Sequence, residues 1–300
     1  MNGPQKIREW AKFLKDIRSF LDARTYLEVM TNHLVPAGAF ESTLDCLKVN
    51  WSTGSGQLHT SPEIEMKRVL AANEASIYQI CRSFRDDPAT PIHRVEFTML
   101  EFYRMGFTLE QLITETLDLF RALAAPSLPK PVHASVTARL KEKTGIDVLA
   151  HDEVASLYAA AKSFGYASAE KSDTWEDLFF KLVLDEVETT LPPESPVLLT
   201  GYPVRVSPLS RAATDGKTAE RFEIYWHGME IANGCTELWS ADELKRRYEK
   251  ESLAREAVGK KRHPYPATLI EAASKNIGVV SGVAIGLERL FLAIEKSRTR

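Results

Sequence analysis

The segment Arg82-Ser-Phe-Arg-Asp-Asp is followed, after a short loop, by His93-Arg-Val-Glu-Phe-Thr-Met-Leu-Glu-Phe-Tyr. If the second segment is a strand, its period of two puts Phe97, Met99, Glu101 and Tyr103 on one face. An aromatic ring there could stack on adenine. Arg85, at the end of the preceding strand, could clamp a phosphate through its guanidinium fork. The same spacing also suits a sheet with one solvated face and a surface ion pair. Further along, Glu230 and Glu237 lie seven residues apart in Gly228-Met-Glu-Ile-Ala-Asn-Gly-Cys-Thr-Glu-Leu, so a straight strand sends them to opposite faces. Asn233-Gly234 between them reads as a turn or a bulge, and either would bring the two carboxylates to the same side. Facing carboxylates repel unless a cation lies between them, which makes the pair a candidate Mg²⁺ or amine site. Two solvated glutamates on a hairpin are the commoner outcome. In Ser281-Gly-Val-Ala-Ile-Gly-Leu-Glu-Arg-Leu, glycines bracket a short strand and Arg289 falls in the first turn of the helix after it. Backbone amides, helix dipole and guanidinium would converge there on an anion, although an arginine at a helix start is commonplace.

The elements that must hold these groups can be read from periodicity. Ile7, Trp10, Leu14, Ile17 and Leu21 recur at helical spacing and predict an amphipathic opening helix. An extended stretch follows at 26–35. Thr60-Ser-Pro-Glu reads as a capped helix start continuing to about residue 72. Strands are predicted at 77–84 and 96–103, separated by a polar loop with Pro88 and Pro91. Helices are predicted near 108–124, 151–164 and 174–190, strands at 197–206 and 221–238, and helices at 241–257 and 266–275. A strand at 279–285 passes through Gly286 into a helix at 287–294. Strands joined by short loops, grouped apart from the helices, predict an α+β fold with an antiparallel sheet. Neither a G-x-G-x-x-G nor a Walker A loop is present, so nucleotide use has to rest on the other groups.

Composition narrows the classes. A chain of 300 residues with 44% hydrophobic and 26% charged residues can bury a full core without staples. Three cysteines, Cys46, Cys81 and Cys235, form no C-x-x-C pair and suit a reducing cytoplasm. The charged opening segment lacks the apolar core of a signal peptide, and no apolar run approaches the roughly 20 residues of a membrane span. A net charge of −3 argues against a broad nucleic-acid footprint.

In order and content these stretches resemble the signature motifs of class II aminoacyl-tRNA synthetases, and the lysyl subgroup in particular. Ser61-Pro-Glu with Met66-Lys-Arg, the block from Phe84-Arg-Asp to Glu96-Phe-Thr-Met-Leu-Glu, Val206-Ser-Pro-Leu-Ser-Arg, Glu230-Ile-Ala-Asn-Gly and Gly286-Leu-Glu-Arg carry the likeness, from the opening helix to Arg289. Lysyl-tRNA synthetases place an anticodon-binding OB domain before the catalytic core. Here the catalytic pattern begins at the first helix, so one catalytic domain over 1–300 without an anticodon-binding domain is expected. That arrangement is similar to the elongation factor P–lysine ligase family, truncated paralogues that activate (R)-β-lysine and attach it to a lysine side chain of elongation factor P. Ser61 and Ala284 agree with the ligases, where lysyl-tRNA synthetases tend to carry alanine and glycine. The near-neutral charge suits a protein acceptor better than tRNA.

The resemblance implies a class II synthetase catalytic fold, a cytoplasmic homodimer, ATP and Mg²⁺ as cofactors, and lysine or β-lysine as substrate. It implies that Arg85 binds the α-phosphate and Arg289 the γ-phosphate as the catalytic pair, with Phe97 stacked on adenine. Asp86, Asp87, His93, Arg94, Ile231 and Gly286 would complete the nucleotide pocket. Glu230 and Glu237 would hold Mg²⁺. Glu63 would take one substrate ammonium and Tyr103 with Glu237 the other, with Ser61, Pro62, Asn233 and Ala284 lining the substrate pocket. Four departures from the pattern stand out. Asn32 replaces the proline that ends the dimer-supporting motif, Arg94-Val95 replaces Asn-Pro after His93, Asp86-Asp87 replaces asparagine–glutamate, and eleven residues follow Arg289 where relatives carry a longer tail. The alternatives are a minimal lysyl-tRNA-synthetase-like enzyme charging tRNA or another acceptor, and a non-catalytic synthetase paralogue.

Overall fold

The computed structural model of the chain describes residues 3–88, 94–124 and 128–298. Its contacts divide it into two compact units, Met1–Leu128 with Thr236–Arg300 and Pro129–Cys235. In the first unit, α1 (Pro4–Asp22) begins with Pro4 in its first turn, where a missing amide costs little. Its buried side chains are Phe13, Ile17, Phe20 and Leu21, whereas Ile7 is 60% exposed, so the inward stripe is displaced from the predicted one. Phe13 and Trp10 both pack edge-on against Phe291, at 5.3 and 5.4 Å between ring centroids. The extended stretch predicted at 26–35 reduces to β1 (Leu27–Glu28) and β2 (Leu34–Val35). β3 (Lys48–Trp51) and β4 (Gly54–Leu58) then complete a small antiparallel sheet in the order β2-β4-β3. Neither β3 nor β4 was predicted. They are polar, largely exposed and include Gly54 and Gly56, so no alternation of buried apolar residues marks them.

α2 (Glu63–Asn73) starts later than the signal predicts: Pro62 takes the N-cap position without a side-chain cap, while the Ser61 hydroxyl accepts the Glu63 amide at 3.0 Å. β5 (Ile77–Phe84) and β6 (Glu96–Met105) form where alternation predicted them, and α3 (Leu109–Ala124) follows. In the second unit, β7 (Val132–Ser135) leads into α4 (Val136–Thr144), whose cap is the Ser135 hydroxyl. Both were missed by the sequence reading. α5 (Val154–Phe164) and α6 (Trp175–Glu186) were expected, and they bury Leu157, Trp175, Phe179 and Leu182 in this unit's core. β8 (Val197–Thr200), β9 (Arg221–Trp226) and β10 (Met229–Thr236) follow, and the strand order in this unit is β10-β9-β8-β7. β10–β9 and β9–β8 pair antiparallel, while β7–β8 pair parallel.

The continuous strand predicted at 221–238 is instead a tight hairpin. It turns at His227-Gly228, both with positive φ of 52° and 72°, the backbone that a two-residue hairpin loop demands. Asn233-Gly234, read as a turn or bulge, lies inside the ladder opposite Glu223 and Phe222. The register shift falls between Glu230 and Ala232, so a bulge exists but sits earlier than the sequence signal. The chain then returns to the first unit with α7 (Ala241–Ala257), α8 (Ala267–Ala272), β11 (Val280–Gly286) and α9 (Leu287–Arg298). Strand order in that unit is β1-β5-β6-β11, antiparallel across β5–β6 and β6–β11 and parallel across β1–β5. Antiparallel pairing with flanking helices matches the predicted α+β class. No helix among the described residues is long and apolar enough to cross a membrane.

Candidate active site

The β5–β6–β11 ladder fixes rows of side chains by register. Ser83 stands opposite Phe97, Cys81 opposite Met99 with Gly286 beyond it, and Gln79 opposite Glu101 with Ala284 beyond it. Ile77 stands opposite Tyr103, with Gly282 beyond it. Because alternate residues share a face, Phe97, Met99, Glu101 and Tyr103 form one line, as alternation required. The line has two chemically distinct ends.

At the Tyr103 end lies a buried cluster of carboxylates. Glu101 is 1% exposed and accepts hydrogen bonds from the Ser61 hydroxyl and from the Tyr103 hydroxyl, the latter at 2.8 Å. One turn into α2, Lys67 is itself 1% exposed, with its ammonium 2.5 Å from Glu63 Oε1 and 2.5 Å from Glu237 Oε2. Burial, followed by the charge of Glu63, pushes the Glu101 carboxyl up to about 8, against the opposing pull of Ser61, Tyr103 and Lys67. Burial likewise holds the Tyr103 phenol well above its ordinary value, so it stays a hydrogen-bond donor. Glu41, nearby, is pushed up to about 7 by burial and by Glu63, with Arg85 acting the other way. The space beside Tyr103 depends on Gly282, because a Cβ there would stand 2.5 Å from Tyr103 Cε1 and 2.7 Å from Glu237 Oε1. Glu101, Lys67 and Gly282 were absent from the sequence-predicted site. Glu101 was already on the predicted face, and Lys67 sat inside the motif Met66-Lys-Arg, so only burial was needed to identify them.

At the other end, the Arg85 guanidinium lies over the Phe97 ring, 5.4 Å from its centroid. Arg85 Nε is buried and has no hydrogen-bond partner among the described residues, a costly state that an anion would relieve. Gly286 ends β11, and the Arg289 side chain passes it with Cδ 3.8 Å from where a Cβ would stand. Glu288, in the same first turn, accepts the Thr98 amide at 2.9 Å and ties α9 to β6. The backbone amide of Asp86 donates to the Asp45 carbonyl at 2.9 Å, and Asp87 and Arg94 are exposed. His93 lies outside the described residues. Pro62 caps α2, and Ala284 lines the row beside Glu101.

Three predicted residues belong to the second unit. Across the bulge, Glu230 stands opposite Tyr225 and Asn233 opposite Glu223, so the two share a face. Ile231, at the bulge, is 1% exposed and packs into the core. Asn233 Oδ1 accepts from Arg221 Nε at 3.2 Å, and Arg221 forms a 2.5 Å ion pair with Glu223. Glu223 also accepts from the Tyr202 and Tyr225 hydroxyls at 2.5 and 3.0 Å. Sequence reasoning missed this network, which holds the hairpin carrying Glu230 in one register.

A family model of class II tRNA synthetases (D, K and N) matches residues 4–299. An elongation factor P–(R)-β-lysine ligase of Pasteurella multocida is 33% identical over 290 residues, covering 94% of this chain and 88% of the relative. Proteins of the same name from Avibacterium paragallinarum and Pseudoalteromonas translucida are 32% and 33% identical, covering 96% and 98% of this chain and 90% and 93% of the relatives.

Proposed function

The chain belongs to the class II tRNA synthetases of the D, K and N group, and from that premise we propose that it is an ATP-dependent ligase that activates lysine or (R)-β-lysine and transfers it to a lysine side chain of elongation factor P. One observation carries the substrate class. Three carboxylates, Glu63, Glu101 and Glu237, are gathered with a single side-chain ammonium, Lys67, in the described cluster. Fully ionised, the set carries more negative than positive charge, which suits the ammonium groups of lysine or β-lysine. A buried carboxyl that holds its proton near neutrality ionises once a cation arrives, so the pocket rewards an ammonium over a neutral side chain. The names of the relatives, each matched over 88% or more of its length, support the acceptor.

In the proposed reaction the substrate carboxylate attacks the α-phosphorus of ATP, forming an aminoacyl-adenylate and releasing pyrophosphate. The acceptor ε-amine then attacks the acyl carbon, forming an amide and releasing AMP. Arg85 would neutralise the α-phosphate with its buried, unsatisfied Nε, Phe97 would stack on adenine, and Arg289 would bind the γ-phosphate. Such sites act by positioning and charge neutralisation, with little covalent help from the protein. Mg²⁺ takes hard oxygen ligands of the kind the Glu237 carboxylate offers in the first unit, and when bound it would offset phosphate charge. Glu63 would take one substrate ammonium and Tyr103 with Glu237 the other, and Glu101, held by Ser61 and Tyr103, would add a buried carboxylate to the second of these.

The test is the intact mass of purified elongation factor P after incubation with this protein, ATP, Mg²⁺ and either α- or β-lysine, with tRNA charging run alongside. One lysyl adduct per acceptor is expected, with no charged tRNA. Charged tRNA together with unmodified elongation factor P would overturn the proposed acceptor.

A further inference from the structure

Beside the carboxylate cluster, and with Cys81 on the same β5–β6 face as Glu101, the first unit gathers two histidines and a cysteine from three separate chain segments. The β2–β4 ladder pairs Leu34 with Leu58, and its next step brings the amide of His59 to the carbonyl of His33 at 3.0 Å. The two rings lie 5.2 Å apart, centroid to centroid. His59 also joins this small sheet to β5, because its carbonyl accepts the Phe84 amide at 3.0 Å and its Nε2 lies 2.9 Å from the Arg82 carbonyl. Cys81 is the neighbour of Arg82, and its thiol is buried. One donor atom from each of His33, His59 and Cys81 lies within 4.8 Å of the other two.

The histidine geometry is that of a metal ligand. A hydrogen bond from Nε2–H to a carbonyl fixes the tautomer and leaves the Nδ1 lone pair free, the outer-shell arrangement seen behind ligating imidazoles. His59 is 2% exposed, and its buried Nδ1 faces the backbone of Ser61 without a well-formed hydrogen bond. An orphaned acceptor at that depth is costly unless something fills the position. His33 is exposed, so it offers an entry path and can turn inward. Two imidazoles and one thiol make a borderline-soft donor set, suited to Zn²⁺ and unsuited to Mg²⁺. We propose that His33, His59 and Cys81 form a zinc site that fastens the β2–β4 sheet to β5. Binding exchanges the thiol proton, released to solvent, for a zinc–sulfur bond. A fourth, open position is left to water. The fastened segments run directly into the active site, since Ser61 follows His59 by two residues and Arg85 follows Cys81 by four.

Co²⁺ substitution tests this with a readout independent of activity. The untagged full chain is stripped with chelator and titrated with Co²⁺, then back-titrated with Zn²⁺. A thiolate-to-cobalt charge-transfer band saturating at one equivalent and bleached by Zn²⁺ is expected. Cys81→Ala should abolish the band, while Cys46→Ser and Cys235→Ser should leave it unchanged. His33→Asn changes an exposed residue, so its folding is not in question, and it should weaken Co²⁺ binding at least about tenfold, the lower end of what outer-shell changes typically cost. Absence of the band in the wild type, a band that survives Cys81→Ala, or His33→Asn binding as tightly as wild type would overturn the site.

Discussion

Glu101→Gln separates the charge of the buried carboxyl from its shape. In the folded protein this group is pushed from 4.5 to about 8, mainly by burial and then by Glu63. Between those two values the native state binds a proton that the unfolded chain has released, so this group's contribution to stability falls as pH rises and levels off above 8. At about 1.4 kcal/mol per unit, the penalty at pH 9 is on the order of 5 kcal/mol. The amide keeps both polar positions, and imperfect bonding to Ser61 and Tyr103 costs only about 1 kcal/mol. Urea melts at pH 5 and pH 9 should therefore show a variant no more stable than wild type at the lower pH and more stable by several kcal/mol at the higher. Lysine should respond in the opposite direction. Losing a buried partner for an ammonium costs about 2 kcal/mol or more, at least roughly 30-fold in affinity. Lysine-dependent ATP–pyrophosphate exchange reads that loss as a raised KM. A wild type still more stable than the variant at pH 9, or a variant KM within threefold of wild type, would refute the assignment of Glu101.

Arg85→Ala should abolish adenylate formation, and near-normal ATP–pyrophosphate exchange in that variant would remove Arg85 from the phosphate site. Because Glu101 must ionise to receive an ammonium, lysine affinity in the wild type should rise up to about tenfold per pH unit between pH 6 and 8 and then flatten. Calorimetric titration over that range checks it, and Glu101→Gln should lose the dependence. Gly282→Ala places a methyl 2.7 Å from Glu237 Oε1 and against the Tyr103 ring, so it should lower both thermal stability and lysine affinity while leaving ATP affinity within a fewfold of wild type. Lys67→Met leaves Glu63 and Glu237 without their shared cation and should cost about 3–5 kcal/mol in urea melts, partly restored by saturating lysine.

The sequence exposes those parts of the fold that carry a long apolar stripe. β5 and β6 are runs rich in apolar and aromatic residues and mostly buried on both faces, and a period of two along β6 gives the face that carries Phe97, Glu101 and Tyr103. β3, β4 and β7 are largely exposed or half-buried and carry no such stripe, so their existence depends on partners distant in the chain. The hairpin turn was misplaced for a related reason. Asn-Gly is the stronger local turn signal, yet His227 adopts a positive φ because the ladder on both sides overrides local preference. Lys67 shows the limit on the site itself. A lysine on an amphipathic helix reads as a solvated face, and only the fold reveals that its ammonium is enclosed between two carboxylates.

The bulge at Ile231 also sets how this hairpin can change length. Glu230 and Asn233 are three residues apart, and they meet Tyr225 and Glu223, two residues apart on the other strand. The extra residue acts as a parity correction between the two strands. Deleting one residue at 231 or 232 would remove the bulge and leave Glu230 and Asn233 two apart in a straight strand, still on one face, whereas inserting a residue there would turn one of them over. Length change in this stretch is therefore filtered by parity: a gap that removes the bulged residue should be tolerated, and a single-residue insertion should not.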